Sequence, residues 1–145
     1  MKLVICASIN FTNEIKQAAD ELTAMGHVVE IPKYTQKILA GDLSLEEFVA
    51  VKEAQGDLEY RQKSEEDLIK KHHRLIKEAD AILVLNIDKK GIKNYIGANT
   101  FLEIGFAHVL DKKIFLFNEI PDMMHRDEVL AIEPVVLNGN LDLIK

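Results

Sequence analysis

Short apolar segments alternate with longer amphipathic stretches along this chain. Five segments are almost continuously apolar, which is typical of buried parallel strands. Between them apolar residues recur every three or four positions, which predicts helices with one buried face. The predicted strands are 2–7, 28–31, 81–86, 113–118 and 135–137, and the predicted helices are 10–25, a short one from about 44, 64–78, 99–110 and 122–132.

This alternation predicts an α/β fold, a flavodoxin- or Rossmann-like three-layer sandwich with helices on both faces of a five-stranded parallel sheet. We expect the strand order 2-1-3-4-5, which is common among doubly wound sheets. Ligands of such sheets bind outside the carboxyl ends of the strands. The predicted site therefore combines residues 7–11, 86–88, 97–103 and 118–122.

The 145 residues fit a single domain, 1–145, with one insertion at about 33–63. That segment is longer than the ~2–6 residues of an ordinary connection. Ser44 and Glu47 have the spacing of a capping box, so a short helix is expected to start there. The segment also carries more apolar side chains than a solvated loop should expose, among them Leu45, Phe48 and Val49. We therefore expect the segment to pack against a partner subunit or to cover the ligand site as a lid.

Charge and composition restrict the partners. The net charge of -6 disfavours nucleic acid and membrane surfaces as ligands. No apolar run approaches the ~20 residues of a membrane span, and residues 1–9 lack the pattern of a signal peptide. A single cysteine, Cys6, excludes a disulfide framework and is expected to pack in the core. These features predict a cytoplasmic protein.

Several common types of site are missing from the sequence. The segment after the first strand has neither a GxGxxG fingerprint nor a Walker A loop, and it lacks the paired acids of a receiver domain. There is no GxSxG motif. No Cys/His cluster has metal-ligand spacing. We therefore expect neither a metal nor another cofactor.

Glu103 is the most informative polar residue, because it lies in an otherwise apolar helix at the expected ligand-binding edge. Asn99 and Thr100 precede it by four and three residues and so share its helix face. A carboxylate near a helix N-terminus is stabilised as an anion. This placement suits a preorganised nucleophile. Spacing alone also fits a capping acid that pairs with Asn99 or Thr100.

The segment 81–117, with Asn-Thr-x-x-Glu-x-Gly-x-Ala at 99–107, resembles the nucleoside 2-deoxyribosyltransferase superfamily, which includes deoxynucleoside 5'-monophosphate N-glycosidases. The opening Cys-Ala-Ser-Ile-Asn-Phe, 6–11, resembles the substrate loop of that superfamily. The resemblance covers most of the chain outside 33–63. It implies that Glu103 attacks the anomeric carbon of a deoxyribosyl group. It also implies a homo-oligomer, a dimer or larger, in which neighbouring subunits complete the pocket.

The chain departs from the superfamily pattern at Gly97, where relatives often carry an Asp or Ser that contacts substrate. The resemblance makes Asp88 the candidate acid-base residue, although a solvated loop acid is equally consistent with its position. Asn86 could bind sugar or base, or form the turn at its strand end. The expected substrate-binding residues are Ser8, Asn10, Phe11, Asn86, Gly97, Asn99 and Thr100.

His72 lies on the apolar face of the predicted helix 64–78. An α-helix rises ~1.5 Å per residue, and the predicted six-residue strand that follows this helix spans ~20 Å. The six residues between His72 and the end of the helix therefore place His72 beside the middle of the strand and not at its carboxyl end. We therefore expect a core histidine. Arg61, Ser64 and Glu65 reach the ligand-binding edge and either line the pocket or form a solvated face.

The function that these observations favour is cleavage or transfer at the N-glycosyl bond of a nucleoside or deoxynucleotide, with a glutamate nucleophile. The expected partner is such a small molecule. The alternative is a non-catalytic module that binds a nucleotide derivative on the same fold. Gly97 favours the binding module, whereas Glu103 favours the enzyme.

Overall fold

The computed structural model describes residues 1–54 and 58–145, with side chains outside 51–60. In that part of the chain, five strands form one sheet in which every pair is parallel. The strands are β1 (Lys2–Cys6), β2 (Val28–Glu30), β3 (Ala81–Val84), β4 (Lys113–Leu116) and β5 (Val135–Val136). Their order across the sheet is β2-β1-β3-β4-β5, so the predicted fold class and strand order are confirmed.

Helices cover both faces of the sheet. The described helices are α1 (Thr12–Ala24), α2 (Lys33–Leu39), α3 (Leu45–Ala54), α4 (Leu58–Glu78), α5 (Ala98–Val109) and α6 (Arg126–Ile132). Short 3-10 turns at Ile9–Phe11 and Leu141–Leu143 complete the list. Within the described residues, no helix combines the length and the apolar character needed to cross a membrane.

Alternate residues of each strand enter two separate cores, because successive strand side chains point to opposite faces. Leu3 and Ile5 of β1 pack with the apolar face of α1 and with the C-terminal 3-10 turn. Val4 and Cys6 pack on the other side with residues of α4, α5 and α6. Both faces of β1 and β3 are therefore buried, which explains why these strands are apolar throughout.

The strands are shorter than predicted, and β3 ends at Val84 instead of residue 86. Asn86 leaves the ladder because its side-chain amide donates to the carbonyl oxygens of Asn118 and Glu119, at 3.1 and 2.9 Å. Its own Oδ1 accepts the backbone N–H of Asn118 at 2.8 Å. Asn86 thus joins the segments that follow β3 and β4.

The helices differ from the prediction mainly in the 33–63 segment. Helix α2 was not predicted, and α4 begins at Leu58 instead of residue 64. The capping box is confirmed, because Ser44 Oγ accepts the backbone N–H of Glu47 at 3.0 Å and the Glu47 carboxylate accepts the N–H of Ser44 at 3.1 Å. Gly56, which interrupts the apolar pattern of this segment in the sequence, lies outside the described residues.

Candidate active site

A cavity of about 460 Å³ opens at the carboxyl ends of the strands. Its size lies in the range of small-molecule sites. It is bounded by the turn after β1, the loop after β3, the first turns of α5, and side chains of α2, α3 and α4. Six of the predicted site residues line it: Ser8, Asn10, Gly97, Asn99, Thr100 and Glu103.

Three other predicted site residues lie elsewhere. Phe11 is 8% exposed and packs in the core on the α1 side of the sheet. Asn86 is fully buried and is engaged with the segment after β4, as described above. The carboxylate of Asp88 accepts the backbone N–H of Asn94 at 2.8 Å, which closes a turn where Asn94 has a φ of 57°. None of the three is among the residues that line the cavity.

Glu103 lies in the second turn of α5, which begins at Ala98, and it is 6% exposed. The effect of the helix dipole is concentrated in the first turn. The helix N-terminus, which was expected to stabilise the Glu103 carboxylate, is therefore not the main partner of that carboxylate. Instead, the Nδ1 atom of His72 is within hydrogen-bonding distance of Glu103 Oε1.

The prediction that His72 is a core histidine is wrong. Its side chain is 24% exposed and lines the cavity beside Glu103. The error came from the strand length, because β3 has four residues and spans only ~13 Å, whereas a six-residue strand would span ~20 Å. The ligand-binding edge is correspondingly closer to His72, which lies ~9 Å from the C-terminal end of α4.

The ionisable groups around Glu103 are coupled to it. The hydrogen bond with Glu103 raises the pKa of His72 above its ordinary value, and it outweighs burial, which lowers that pKa. Burial raises the pKa of the Cys6 thiol, and the carboxylate of Glu103 raises it further. Cys6 therefore remains a neutral thiol next to Glu103, in contact with the site as well as the core.

Two lysine side chains of the loop after β3 line the cavity and give it positive charge. Lys89 Nζ donates to Ser8 Oγ at 2.7 Å and lies 5.3 Å from the centre of the Tyr95 ring. Lys90 lines the same cavity, with a φ of 53°. Backbone hydrogen bonds between Lys89 and Ile92 close the turn that carries both lysines, and the composition of the loop, rich in Lys and Gly, did not indicate that geometry.

The ring of Tyr95 fills the space beside Gly97. A Cβ atom at position 97 would lie 3.2 Å from Cε1 of that ring and 3.5 Å from its hydroxyl oxygen. A side chain at 97 would therefore be in tight contact with Tyr95, and the ring would have to move by a few tenths of an ångström. The absence of the Asp or Ser expected from the superfamily pattern is thus accompanied by a phenol in the adjacent space.

Residues of the 33–63 segment also line the cavity. Tyr34 and Phe48 pack with ring centres 4.9 Å apart, and Val49 lies beside them on the cavity surface. Thr35 lines the cavity too, and among the described residues its fully buried Oγ1 has no hydrogen-bond partner. Of the predicted rim residues on α4, Glu65 lines a smaller adjoining cavity and Arg61 is exposed.

The described residues contain no group of three His, Cys, Asp or Glu side chains that could hold a metal ion. The polar groups assembled here are a buried carboxylate with its imidazole partner, two lysines, hydroxyl groups and amides. Such a set can position a carboxylate against an electrophilic carbon and bind a polar, anionic small molecule.

No family model and no curated protein sequence matches the chain. Solved structures are similar to it, and two of them are a 2-deoxyribosyltransferase and a CMP N-glycosidase. A 2-deoxyribosyltransferase from the psychrotolerant bacterium Bacillus psychrosaccharolyticus is 20% identical over 81% of this chain and 72% of that chain, with a TM-score of 0.48. The CMP N-glycosidase BcmB of Clostridium botulinum is 17% identical over 94% of this chain and 85% of that chain, with a TM-score of 0.54. The likeness to the CMP N-glycosidase establishes a common fold, so the fold implied by the resemblance to the nucleoside 2-deoxyribosyltransferase superfamily is confirmed.

Proposed function

We propose that this chain acts on the N-glycosyl bond of a nucleoside or nucleotide, with Glu103 as nucleophile. The observation that carries the proposal is a buried carboxylate, paired with His72, on the surface of a cavity at the carboxyl edge of the sheet. Buried carboxylates are costly unless they are paired, and pairing next to an open cavity is typical of active sites. The fold shared with a CMP N-glycosidase supports the same reaction class.

In the proposed reaction, an oxygen of Glu103 forms a bond to the anomeric carbon of the sugar. The bond from that carbon to the base nitrogen breaks, and its electron pair leaves with the base, which takes up a proton. Water or a second base then attacks the anomeric carbon and releases Glu103. The transition state resembles an oxocarbenium ion, which a positioned carboxylate stabilises by charge.

The other residues supply binding and order. We assign to Ser8, Asn10, Asn99 and Thr100 the polar contacts with sugar and base, since all four line the cavity. Tyr95 supplies a hydroxyl group beside Gly97. For Asp88 we propose a structural role in place of the expected acid-base role. Its carboxylate accepts the backbone N–H of Asn94, within the loop that also carries Lys89 and Lys90.

The two lysines favour a phosphorylated substrate. The chain is acidic overall, so two cations in one cavity point to an anionic ligand. A nucleoside 5'-monophosphate would place its phosphate near Lys89 and its anomeric carbon near Glu103. We also propose a homodimer, as the resemblance implies, and a reducing compartment such as the cytoplasm for the buried thiol of Cys6.

A second candidate function is non-catalytic binding of a nucleotide derivative. The placement of Asp88 away from the cavity surface and the glycine at 97 favour it, because neither position supplies an acid to the leaving base. The same lysines and hydroxyl groups would then serve binding alone. The two candidates differ in one measurable outcome, the release of free base.

The test is incubation of the protein with a panel of ribo- and deoxyribonucleosides and their 5'-monophosphates, with free base measured by chromatography. We expect release from at least one monophosphate. Glu103→Ala should reduce that release to the level without enzyme while the circular dichroism spectrum stays unchanged. Binding without release by the wild-type protein would favour the binding module. Full release by a folded Glu103→Ala variant would remove Glu103 from the mechanism.

A further inference from the structure

The contact between His72 and Glu103 joins two helices that pack side by side. His72 belongs to α4 and Glu103 to α5, and both side chains line the main cavity. Both also line a second cavity of about 50 Å³ on the side of Leu102 and Phe106. The pair therefore forms part of the partition between two spaces, and the imidazole is accessible to water.

The hydrogen bond engages one particular atom of each group. Nδ1 of His72 contacts Oε1 of Glu103, and a carboxylate can only accept, so Nδ1 carries the proton. The imidazole thereby occupies one carboxylate oxygen, and the neutral Cys6 thiol is a further hydrogen-bonding neighbour of the same carboxylate. A glutamate side chain has three rotatable bonds, and this contact restricts the last of them.

We propose that His72 is the positioning residue for the nucleophile: its Nδ1–H holds Oε1 of Glu103, so that Oε2 is the oxygen that attacks the anomeric carbon. This inference rests on the function proposed above. His72 itself does not touch the reacting atoms and transfers no proton. Its contribution is orientation, which is worth large factors in rate when a reacting atom must be held near its target.

The protonation state of His72 then sets the strength of the nucleophile. A carboxylate paired with a cationic imidazolium is a weaker nucleophile than one that accepts from a neutral imidazole. The neutral ring keeps Nδ1–H toward Glu103, so orientation is retained. The rate constant kcat/KM is therefore expected to rise as His72 loses its charge.

Other ionisable side chains border the same two cavities. They are Glu103 on α5, Tyr34 on α2, Lys89, Lys90 and Tyr95 on the loop after β3, and Glu65 on α4, with Cys6 of β1 next to Glu103. Imidazole is the side-chain type whose ordinary pKa lies between pH 5 and 8. A rise in activity across that interval that disappears with the imidazole can therefore be assigned to His72.

Three variants separate orientation from charge. His72→Asn places an amide N–H where Nδ1 was, His72→Gln places it one bond further out, and His72→Leu removes it. We expect His72→Asn to keep most of kcat and to lose the rise with pH. His72→Gln and His72→Leu should lower kcat by about 100-fold with KM little changed, because the nucleophile is misplaced. His73→Asn is the matched control, since His73 packs edge-on against Phe106, and its kinetics should match the wild type.

Nuclear magnetic resonance titration of the His72 ring gives a readout without turnover. The pKa of His72 should fall in Glu103→Gln relative to the wild type. If the wild-type protein releases no base from any substrate, the proposed function fails and the role of His72 fails with it. If the wild type is active and His72→Asn loses as much kcat as His72→Leu, or keeps the rise with pH, only the role of His72 is overturned.

Discussion

At the scale of single residues, the contact between His72 and Glu103 connects α4 and α5 at the cavity. Glu103 could be predicted because an acid in an apolar helix at the carboxyl edge of a sheet needs an explanation. His72 could not, because its contact depends on where β3 ends and on how α4 lies against α5. Apolar periodicity reports which face of a helix is buried. It does not report at what height along the sheet each residue of that face will lie.

The pair of His72 and Glu103 makes stability depend on pH. Because the pKa of His72 is higher in the folded state than its ordinary value, the folded protein holds this proton more tightly than the unfolded chain. That contribution is fully present below the unfolded pKa of about 6.5 and is lost as the pH rises through the folded pKa. We expect Glu103→Gln to lack it.

The measurement is urea unfolding of the wild type and Glu103→Gln at pH 5.5 and pH 8.5. The stability of the wild type relative to the variant should be greater at pH 5.5. A difference that is the same at both pH values would contradict the coupling between His72 and Glu103. His73→Gln, in the same helix, should leave the pH dependence of the wild type unchanged.

Lys89 is expected to distinguish phosphorylated from unphosphorylated substrates. Hydrogen bonds to charged groups contribute about 1.5–3 kcal/mol, so Lys89→Ala should raise KM for a nucleoside monophosphate by about tenfold or more. KM for the corresponding nucleoside should change much less. Steady-state kinetics on the two substrates provide the comparison.

Lys93→Ala is the control for this substitution, because Lys93 lies on the same loop but is exposed. It should leave both KM values unchanged. An equal loss on nucleoside and monophosphate in Lys89→Ala would mean that Lys89 acts through its bond to Ser8 rather than through a phosphate.

At the scale of elements, the starts of the strands were predicted better than their ends, whereas the ends of α4 and α6 were predicted better than their starts. The Ser44–Glu47 capping box was visible in the sequence because both contacts are made within four residues. Helix α2 was missed because seven residues that follow Pro32 offer only two turns of periodicity. The end of β3 was missed because Asn86 is held by Asn118 and Glu119, which lie about thirty residues away in sequence.

Helices α2 and α3 bring an aromatic pair to the cavity, so Phe48 is expected to contribute to substrate binding. Phe48→Ala removes one ring of the Tyr34–Phe48 pair. Such an aromatic contact contributes about 0.5–1.5 kcal/mol beyond the burial of apolar area. We expect KM to rise several-fold while kcat changes little, because the proposed role of the ring is to bind substrate and not to position Glu103. Leu143→Ala, at an exposed position of the C-terminal 3-10 turn, is the control. A fall in kcat with unchanged KM would contradict a binding role.

At the scale of the whole molecule, the topology was the most predictable feature. Apolar strands that alternate with amphipathic helices admit few arrangements, because parallel crossovers are right-handed and both faces must be covered. The strand order was expected because it is common among doubly wound sheets, and the restriction on crossovers alone leaves other orders open. The cavity at their carboxyl ends followed from the order, whereas its individual side chains depended on loop geometry.

Assembly is tested at the same scale. Leu102 and Val109 lie seven residues apart on one side of α5 and are 44% and 74% exposed. Exposed apolar side chains at helical spacing suit a twofold contact, the commonest form of assembly. We expect light scattering to give the mass of a dimer, and the double variant Leu102→Glu, Val109→Glu to give that of a monomer. A monomeric wild type would overturn the dimer, and a dimeric double variant would move the contact elsewhere.

The packing of Tyr95 against Gly97 restricts how this site can change by mutation. The Cβ atom of an acid introduced at position 97 would lie 3.2 Å from the Tyr95 ring, which is a tight contact. A smaller residue at 95 introduced first would leave the neighbouring space open and remove the ring over which Lys89 lies. A side chain at 97 therefore requires the Tyr95 ring to move by a few tenths of an ångström, and that movement also changes the surface that the ring presents to Lys89. Positions 89, 95 and 97 are therefore expected to change together in descendants of this sequence.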